Sequence, residues 1–195
     1  MPYESEAKFK VDSFESALAA IRKARGRFLG AVLQTDVYYD TADGSLRRGD
    51  SAVRLRRVRS LTPARVAQDI RPLLTYKGPR RGRAKIKIRK EVQTRVETPE
   101  AIDAILAAGN LRPAMTIQKR RASYQLGRCR VELDELPRLG RFIEVEGPTT
   151  RAVLALWKKL NTPGEMTTES YTRLAVCYCK ARGISARTFM FSRSR

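Results

Sequence analysis

Carboxylates spaced two residues apart stand near both ends of this chain, Glu4 and Glu6 at the start and Glu144 and Glu146 later. Cations repeat at the same spacing between them: Arg54 and Arg56, Lys85 with Lys87 and Arg89, Lys119 and Arg121. In a β-strand, residues two apart share a face, so each set presents its charges to one side. Carboxylates of this kind are hard oxygen donors suited to Mg²⁺ or Mn²⁺. Lysines suit phosphate oxygens, and arginines add a bidentate fork. A metal facing a cationic clamp is the equipment of phosphoryl transfer, in which positioning and charge neutralisation do most of the catalysis. A Walker-type loop is not present, because the run Gly78-Pro79-Arg80-Arg81-Gly82-Arg83 lacks the Lys-Ser/Thr ending.

The elements that must carry these residues follow from the same alternation. Strand patterns cover Tyr3–Val11, Ala31–Asp40, Ala52–Arg59, Leu73–Lys77, Ala84–Gln93, Thr116–Leu126, Arg128–Asp134 and Arg141–Glu146. Along them Thr75 and Lys77 alternate with Leu74 and Tyr76, and Glu132 and Asp134 with Val131 and Leu133. Four amphipathic helices are expected: Ser13–Arg25, Pro99–Ala108 with Thr98 as N-cap and Gly109 as C′ residue, Thr150–Leu160, and Thr168–Arg182 closing at Gly183. One such strand is explained by a sheet with one face in water. Sorting of the charges by strand, together with helices available to cover the apolar faces, favours another arrangement. The expected fold is α+β: a closed antiparallel barrel of about eight strands with a charged lumen and helices on its apolar outer face.

The length of 195 residues and a hydrophobic content of 42% predict one domain, taken as residues 1–183, followed by a basic, frayed tail over 184–195. The segment Arg59–Arg71 reads equally as a lid or as an uninformative insertion. A net charge of +20 predicts an anionic partner. No histidine is present and the three cysteines make no disulfide framework, so zinc and His-based acid–base chemistry have little to work with. No apolar run approaches the roughly 20 residues that span a bilayer, and no signal-peptide core opens the chain; a cytoplasmic protein is expected.

These blocks, in order, resemble the CYTH, or triphosphate tunnel metalloenzyme, superfamily. Glu4-Ser5-Glu6-Ala7-Lys8 resembles its ExExK signature. Asp36-Val37-Tyr38-Tyr39-Asp40, Arg54-Leu55-Arg56, Leu74-Thr75-Tyr76-Lys77-Gly78-Pro79, Arg89-Lys90-Glu91, Lys119-Arg120-Arg121 and the stretch from Leu133-Asp134 to Glu146 follow in family order, with Ser170-Tyr171 like the C-terminal helix. The resemblance spans about residues 3–176 and is nearest to the class IV adenylate cyclase branch. It implies an eight-stranded tunnel, a divalent metal and a triphosphate-bearing small molecule. It further implies that Glu4, Glu6, Glu144 and Glu146 hold metal with Asp134 beside them. Arg54, Arg56, Lys77, Arg89, Lys119 and Arg121 would grip the triphosphate, and Lys8 would orient or activate the attacking group. Lys85, Lys87 and Glu132 join these sets from alternation alone.

Three functions fit. The leading one is a metal-dependent triphosphatase acting on inorganic or organic triphosphate. The second is conversion of ATP to cyclic AMP, against which Met1-Pro2-Tyr3 stands where cyclases of that branch tend to carry His-Phe. The third is a non-catalytic polyphosphate- or RNA-binding module, served by Arg80, Arg81, Arg83, Arg187, Arg193 and Arg195. A nucleic-acid partner is the less favoured choice, and the oligomeric state is left open, a homodimer among the options.

Overall fold

In a computed structural model, residues 5–63, 70–81 and 88–192 are described, with residues 80, 81, 88 and 89 as backbone only. In chain order the elements are β1 (Ser5–Val11), α1 (Glu15–Lys23), β2 (Arg27–Asp40), α2 (Ser45–Arg48), β3 (Ala52–Ser60), β4 (Leu73–Arg81) and β5 (Ile88–Arg95). They continue with α3 (Pro99–Ala108), β6 (Arg112–Leu126), β7 (Cys129–Leu136), β8 (Gly140–Gly147), α4 (Thr150–Leu160), β9 (Glu165–Thr167), α5 (Tyr171–Ala181) and β10 (Thr188–Phe189).

The strands form one sheet in the order β5-β4-β3-β2-β6-β7-β8-β1-β9, antiparallel throughout, with β10 running parallel to β6. This corrects the expected eight-stranded closed barrel. The sheet has 10 strands, and among the described residues no hydrogen-bonded seam joins its ends. The free edge of β1 is taken by β9, at Lys8 opposite Thr167, instead of by β5. β9 and β10 hold 3 and 2 residues, too few for alternation to show in the sequence. The sheet is nonetheless curled, since strands β1 to β8 all contribute to one trough-shaped cavity of about 1910 Å³.

Alternation sends the apolar residues to the convex side. Ala7, Phe9, Val131, Leu133, Ile143 and Val145 pack there against Ala17 and Ile21 of α1 and Val153 and Leu160 of α4. Phe9 stacks on Trp157, with ring centroids 3.4 Å apart. Farther round, Tyr39, Leu55 and Val96 pack with Ile102 and Leu106 of α3. The α4 N-terminus is capped by Thr149, whose hydroxyl accepts from Ala152 N at 3.2 Å. In α3 the expected cap is only positional: Thr98 makes no side-chain capping bond, and Gly109 has φ −81°, so the left-handed turn falls on Asn110 at φ 61°.

Helix α5 departs from the expected outer jacket. Its Tyr171, Ala175 and Cys179 pack on Ile117, Leu136 and Phe142. By period two those residues share a face with Lys119, Asp134 and Glu144, so α5 covers one end of the charged face itself. The segment after α5 supports it: Phe189 is fully buried against the same cluster, and Phe191 N donates to Gln118 Oε1. The expected frayed tail is therefore anchored as far as Phe191. Among the described residues no helix is long and apolar enough to cross a membrane. The centre of the 59–71 segment falls outside the described residues.

Candidate functional site

Strand register brings the sequence-predicted charges together. Lys8 lies opposite Glu144, and Glu144 opposite Glu132; Glu6 lies opposite Glu146, and Glu146 opposite Arg130. On the next strands Arg121 is opposite Asp134, Asp36 opposite Arg56, and Lys77 opposite Glu91. All of these line the trough except Asp134, which is fully buried beneath it.

Two acids organise the cations. Asp134 Oδ1 accepts from Arg121 Nε at 2.6 Å, and its Oδ2 accepts from Lys119 Nζ at 2.8 Å and from the Tyr171 hydroxyl at 2.9 Å. Asp36 receives Arg56 through a bidentate pair of 2.6 and 2.7 Å, and Arg54 Nη1 lies 3.6 Å away. Burial works against ionised Asp36, but the guanidinium groups of Arg56 and Arg54 outweigh it and hold the carboxyl below its usual range. Arg121 also bonds Glu144, whose other oxygen lies 3.0 Å from Lys8 Nζ. The Lys8 ammonium sits 3.8 Å above the Tyr171 ring centroid, and that of Lys119 lies 5.0 Å from it. Burial and the neighbouring Arg121 push Lys119 down to about 8.

The carboxylate end is electrically different. Burial pushes Glu146 up to about 8; Arg121 opposes this while Glu132, Glu6 and Glu144 add to it. Glu132 is likewise raised, chiefly by burial. At the other end Arg54 Nη2 donates to Thr75 at 3.4 Å, while its buried Nε has no partner among the described residues. An unpartnered guanidinium N–H in a cationic trough is a donor suited to an anion's oxygen.

Of the remaining expected residues, Glu4, Lys85 and Lys87 lie outside the described residues, and Arg89 is placed only as backbone opposite Arg80. Lys77 is in place, paired with Glu91 at 2.5 Å. The expected ligand Asp134 has both oxygens engaged by cations and a phenol. Among the described residues no three acidic groups are already gathered as a metal-ligand set. Sequence reasoning did not single out Asp36 or Tyr171 as site residues. Asp36 continues the alternation Gln34, Asp36, Tyr38, Asp40 along β2, which was a usable signal. Tyr171 had only its place at the start of a helix and in the Ser170-Tyr171 block of the resemblance.

The fold is shared with solved structures. The PH1819 protein of Pyrococcus horikoshii superposes with a TM-score of 0.74 at 24% identity, covering 89% of this chain and 98% of that one. HpAC1 from Hippeastrum, a candidate adenylyl cyclase described as having a dominant triphosphatase activity, superposes at 0.67 with 18% identity, over 94% and 97% of the two chains. At these identities the likeness establishes the fold. In sequence, a candidate adenylate cyclase of Methanocaldococcus jannaschii is 27% identical over 143 residues, 73% of this chain and 75% of that protein. The profile of the CYTH domain matches residues 2–170, most of the length, and the chain belongs to the CYTH domain family.

Proposed function

We propose that this protein is a divalent-metal-dependent triphosphatase whose substrate lies in the trough, walled by the eight long strands. The observation that carries this reading is the opposition of two charge sets across one cavity: Arg54, Arg56, Lys119 and Arg121 against Glu6, Glu132, Glu144 and Glu146. The triphosphatase activity described for HpAC1 agrees with it. A polyanion is favoured along the arginines and lysines, where Arg54 Nε has no partner among the described residues.

The carboxylate end fits a hard cation such as Mg²⁺ or Mn²⁺. Its donors are all oxygens, and the mutual repulsion that helps raise Glu146 is the kind a divalent ion relieves. Glu6 and Glu146, with Glu4 from the ExExK motif, would hold it; Asp134 is assigned instead to positioning Lys119 and Arg121. When bound, such an ion polarises a phosphoryl oxygen. Lys8 is fixed between Glu144 and the Tyr171 ring, and its ammonium would orient the attacking group. The arginines neutralise charge that develops on the phosphoryl oxygens as water adds to the terminal phosphorus and the bridging oxygen leaves.

Cyclisation of ATP is the second reading, favoured by the name of the archaeal relative. One incubation series separates them: inorganic triphosphate and ATP, each with Mg²⁺ or Mn²⁺, with orthophosphate, pyrophosphate and cyclic AMP quantified. Orthophosphate without cyclic AMP supports the triphosphatase; cyclic AMP with equal pyrophosphate replaces it by the cyclase. A protein that binds RNA without metal and turns over neither substrate would be the binding module.

A further inference from the structure

Asp134 Oδ2 accepts from two groups that arrive on different elements, Lys119 Nζ from β6 and the Tyr171 hydroxyl from α5. A helix of 11 residues is marginal in water by itself, so packing must hold α5 in place. Its buried stripe reads Tyr171, Ala175 and Cys179, and after Tyr171 those side chains are small. Phe189 packs beside them: it is fully buried in one cluster with them and with Ile117 of β6, and its ring meets that of Tyr178 edge-on at 6.0 Å. The segment that carries Phe189 runs along an open stretch of β6. There β2 pairs with one edge as far as Arg112, while β7 pairs with the other only from Arg120 onward. Thr188 and Phe189 take the open edge opposite Thr116 and Ile117. Thr116 N donates to Arg187 O at 2.8 Å, and the Arg120 guanidinium lies 4.2 Å from the Phe191 ring centroid. On the helix side Cys179 Sγ donates to Ala186 O at 3.6 Å. The segment is therefore tied to the strand and to the helix at once.

We infer that Phe189 is a positioning residue for the trough: wedged between β6 and α5, it sets how α5 stands on the sheet and so keeps the Tyr171 hydroxyl on Asp134 and the Tyr171 ring beneath Lys8. This role rests on the triphosphatase reading and adds to it a residue outside the trough. Phe189 is not part of the trough lining, so it acts on turnover through Tyr171. The chain of contacts is short. Phe189 packs with Tyr171 in one cluster, and the Tyr171 ring meets Phe142 edge-on at 5.3 Å and lies 3.8 Å from Lys8 Nζ. A smaller side chain at Phe189 leaves a cavity beside Ala175 and Cys179 into which α5 relaxes. Such a shift moves the ring that supports Lys8 and leaves the strand-borne arginines where they are. Its signature is a fall in kcat with KM nearly kept. A residue that served stability alone would lower the melting temperature and leave the kinetics of the folded protein unchanged.

Phosphate release from inorganic triphosphate with Mg²⁺ tests this, measured below the melting temperature of each protein. The variants are Phe189→Ala, Phe189→Leu, Tyr171→Ala and the double variant Phe189→Ala/Tyr171→Ala. Leu160→Ala opens a core cavity on the convex side and is the control for stability alone. If Phe189→Ala does not fold, Phe189→Val takes its place throughout. We expect Phe189→Ala to lower kcat about tenfold with KM within about threefold, and Phe189→Leu to restore most of the loss. In the Tyr171→Ala background the same change should cost less than about twofold, because the two residues act as one unit. Hydrogen–deuterium exchange of the unliganded proteins should quicken in α5 for Phe189→Ala and not for Leu160→Ala. An unchanged kcat, an equal loss in both Tyr171 backgrounds, an equal loss in Leu160→Ala, or unaltered exchange in α5 each overturns the inference. Wild-type protein that releases no phosphate refutes the triphosphatase reading; faster exchange in Phe189→Ala would then leave Phe189 an anchor for α5 and nothing more.

Discussion

The Tyr171 hydroxyl donates to Asp134 Oδ2 at 2.9 Å, so the C-terminal helix is bonded to the acid that organises the cation clamp. Tyr171→Phe keeps the ring beneath Lys8 and removes one donor from a buried carboxylate. We expect a loss of about 1.5–3 kcal/mol in urea unfolding and a small change in turnover. Tyr171→Ala also takes away the surface on which Lys8 rests, and should lower kcat well beyond the Phe variant. Equal kinetics for the two would remove the ring from the mechanism.

Asp134→Asn leaves Lys119 facing a neutral amide and takes one carboxylate from Arg121, which keeps Glu144. Removing the charge from such a pair costs about 3–5 kcal/mol. Added inorganic triphosphate brings negative charge back, so its thermal shift should be larger in the variant than in wild type. A smaller shift would mean that the ligand does not meet these cations.

Asp36 sets a pH dependence of stability. Burial disfavours its charge, but Arg56 and Arg54 more than reverse this, and the folded carboxyl lies below the unfolded value of roughly 3.9. Its contribution is therefore complete above that unfolded value and is lost as pH falls toward the folded one. Asp36→Asn should be strongly destabilised at pH 7, and the gap from wild type should narrow progressively below about pH 4. A gap of constant size across denaturant titrations at pH 7 and pH 3 would contradict the assignment.

Glu146→Gln should abolish metal-dependent phosphate release, by 100-fold or more if its oxygen holds the ion, with melting temperature retained. Arg56→Ala should raise KM for triphosphate, and kcat should fall too if its contact tightens in the transition state. Full activity in the Gln variant would sink the metal assignment.

Trp157→Ala serves as the opposite control. The ring stacks on Phe9 on the convex side, away from the trough. Its loss should cost roughly 3 kcal/mol of stability with KM unchanged.

Alternation was enough to place Lys8, Glu144, Glu146, Lys119 and Arg121 on one face, because a sheet with a period of two leaves no other choice. Helical spacing, with the capping residues, located α1, α3, α4 and α5. It could not show on which side of the sheet α5 lies, since a helix with one apolar stripe reads the same whichever surface it covers. Nor could alternation show that Asp36 and Asp134 hold cations, because pairing depends on cross-strand register, here Asp36 with Arg56 and Asp134 with Arg121. Lys10 marks the limit on β1: it keeps the alternation of Glu6 and Lys8 and has Phe142 and Glu165 opposite it, yet it is exposed.

The pairing of the clamp residues with Asp36, Asp134 and Glu144 makes the trough resemble an ion exchanger already loaded with its counter-ions. An arriving anion must compete with resident carboxylates instead of filling a bare positive field. Orthophosphate brings too few charges to win several such competitions at once, whereas a triphosphate contests all of them along its length. On the proposed triphosphate reading, discrimination by valence would follow from the fold's own acids, with no need for a residue that recognises chain length.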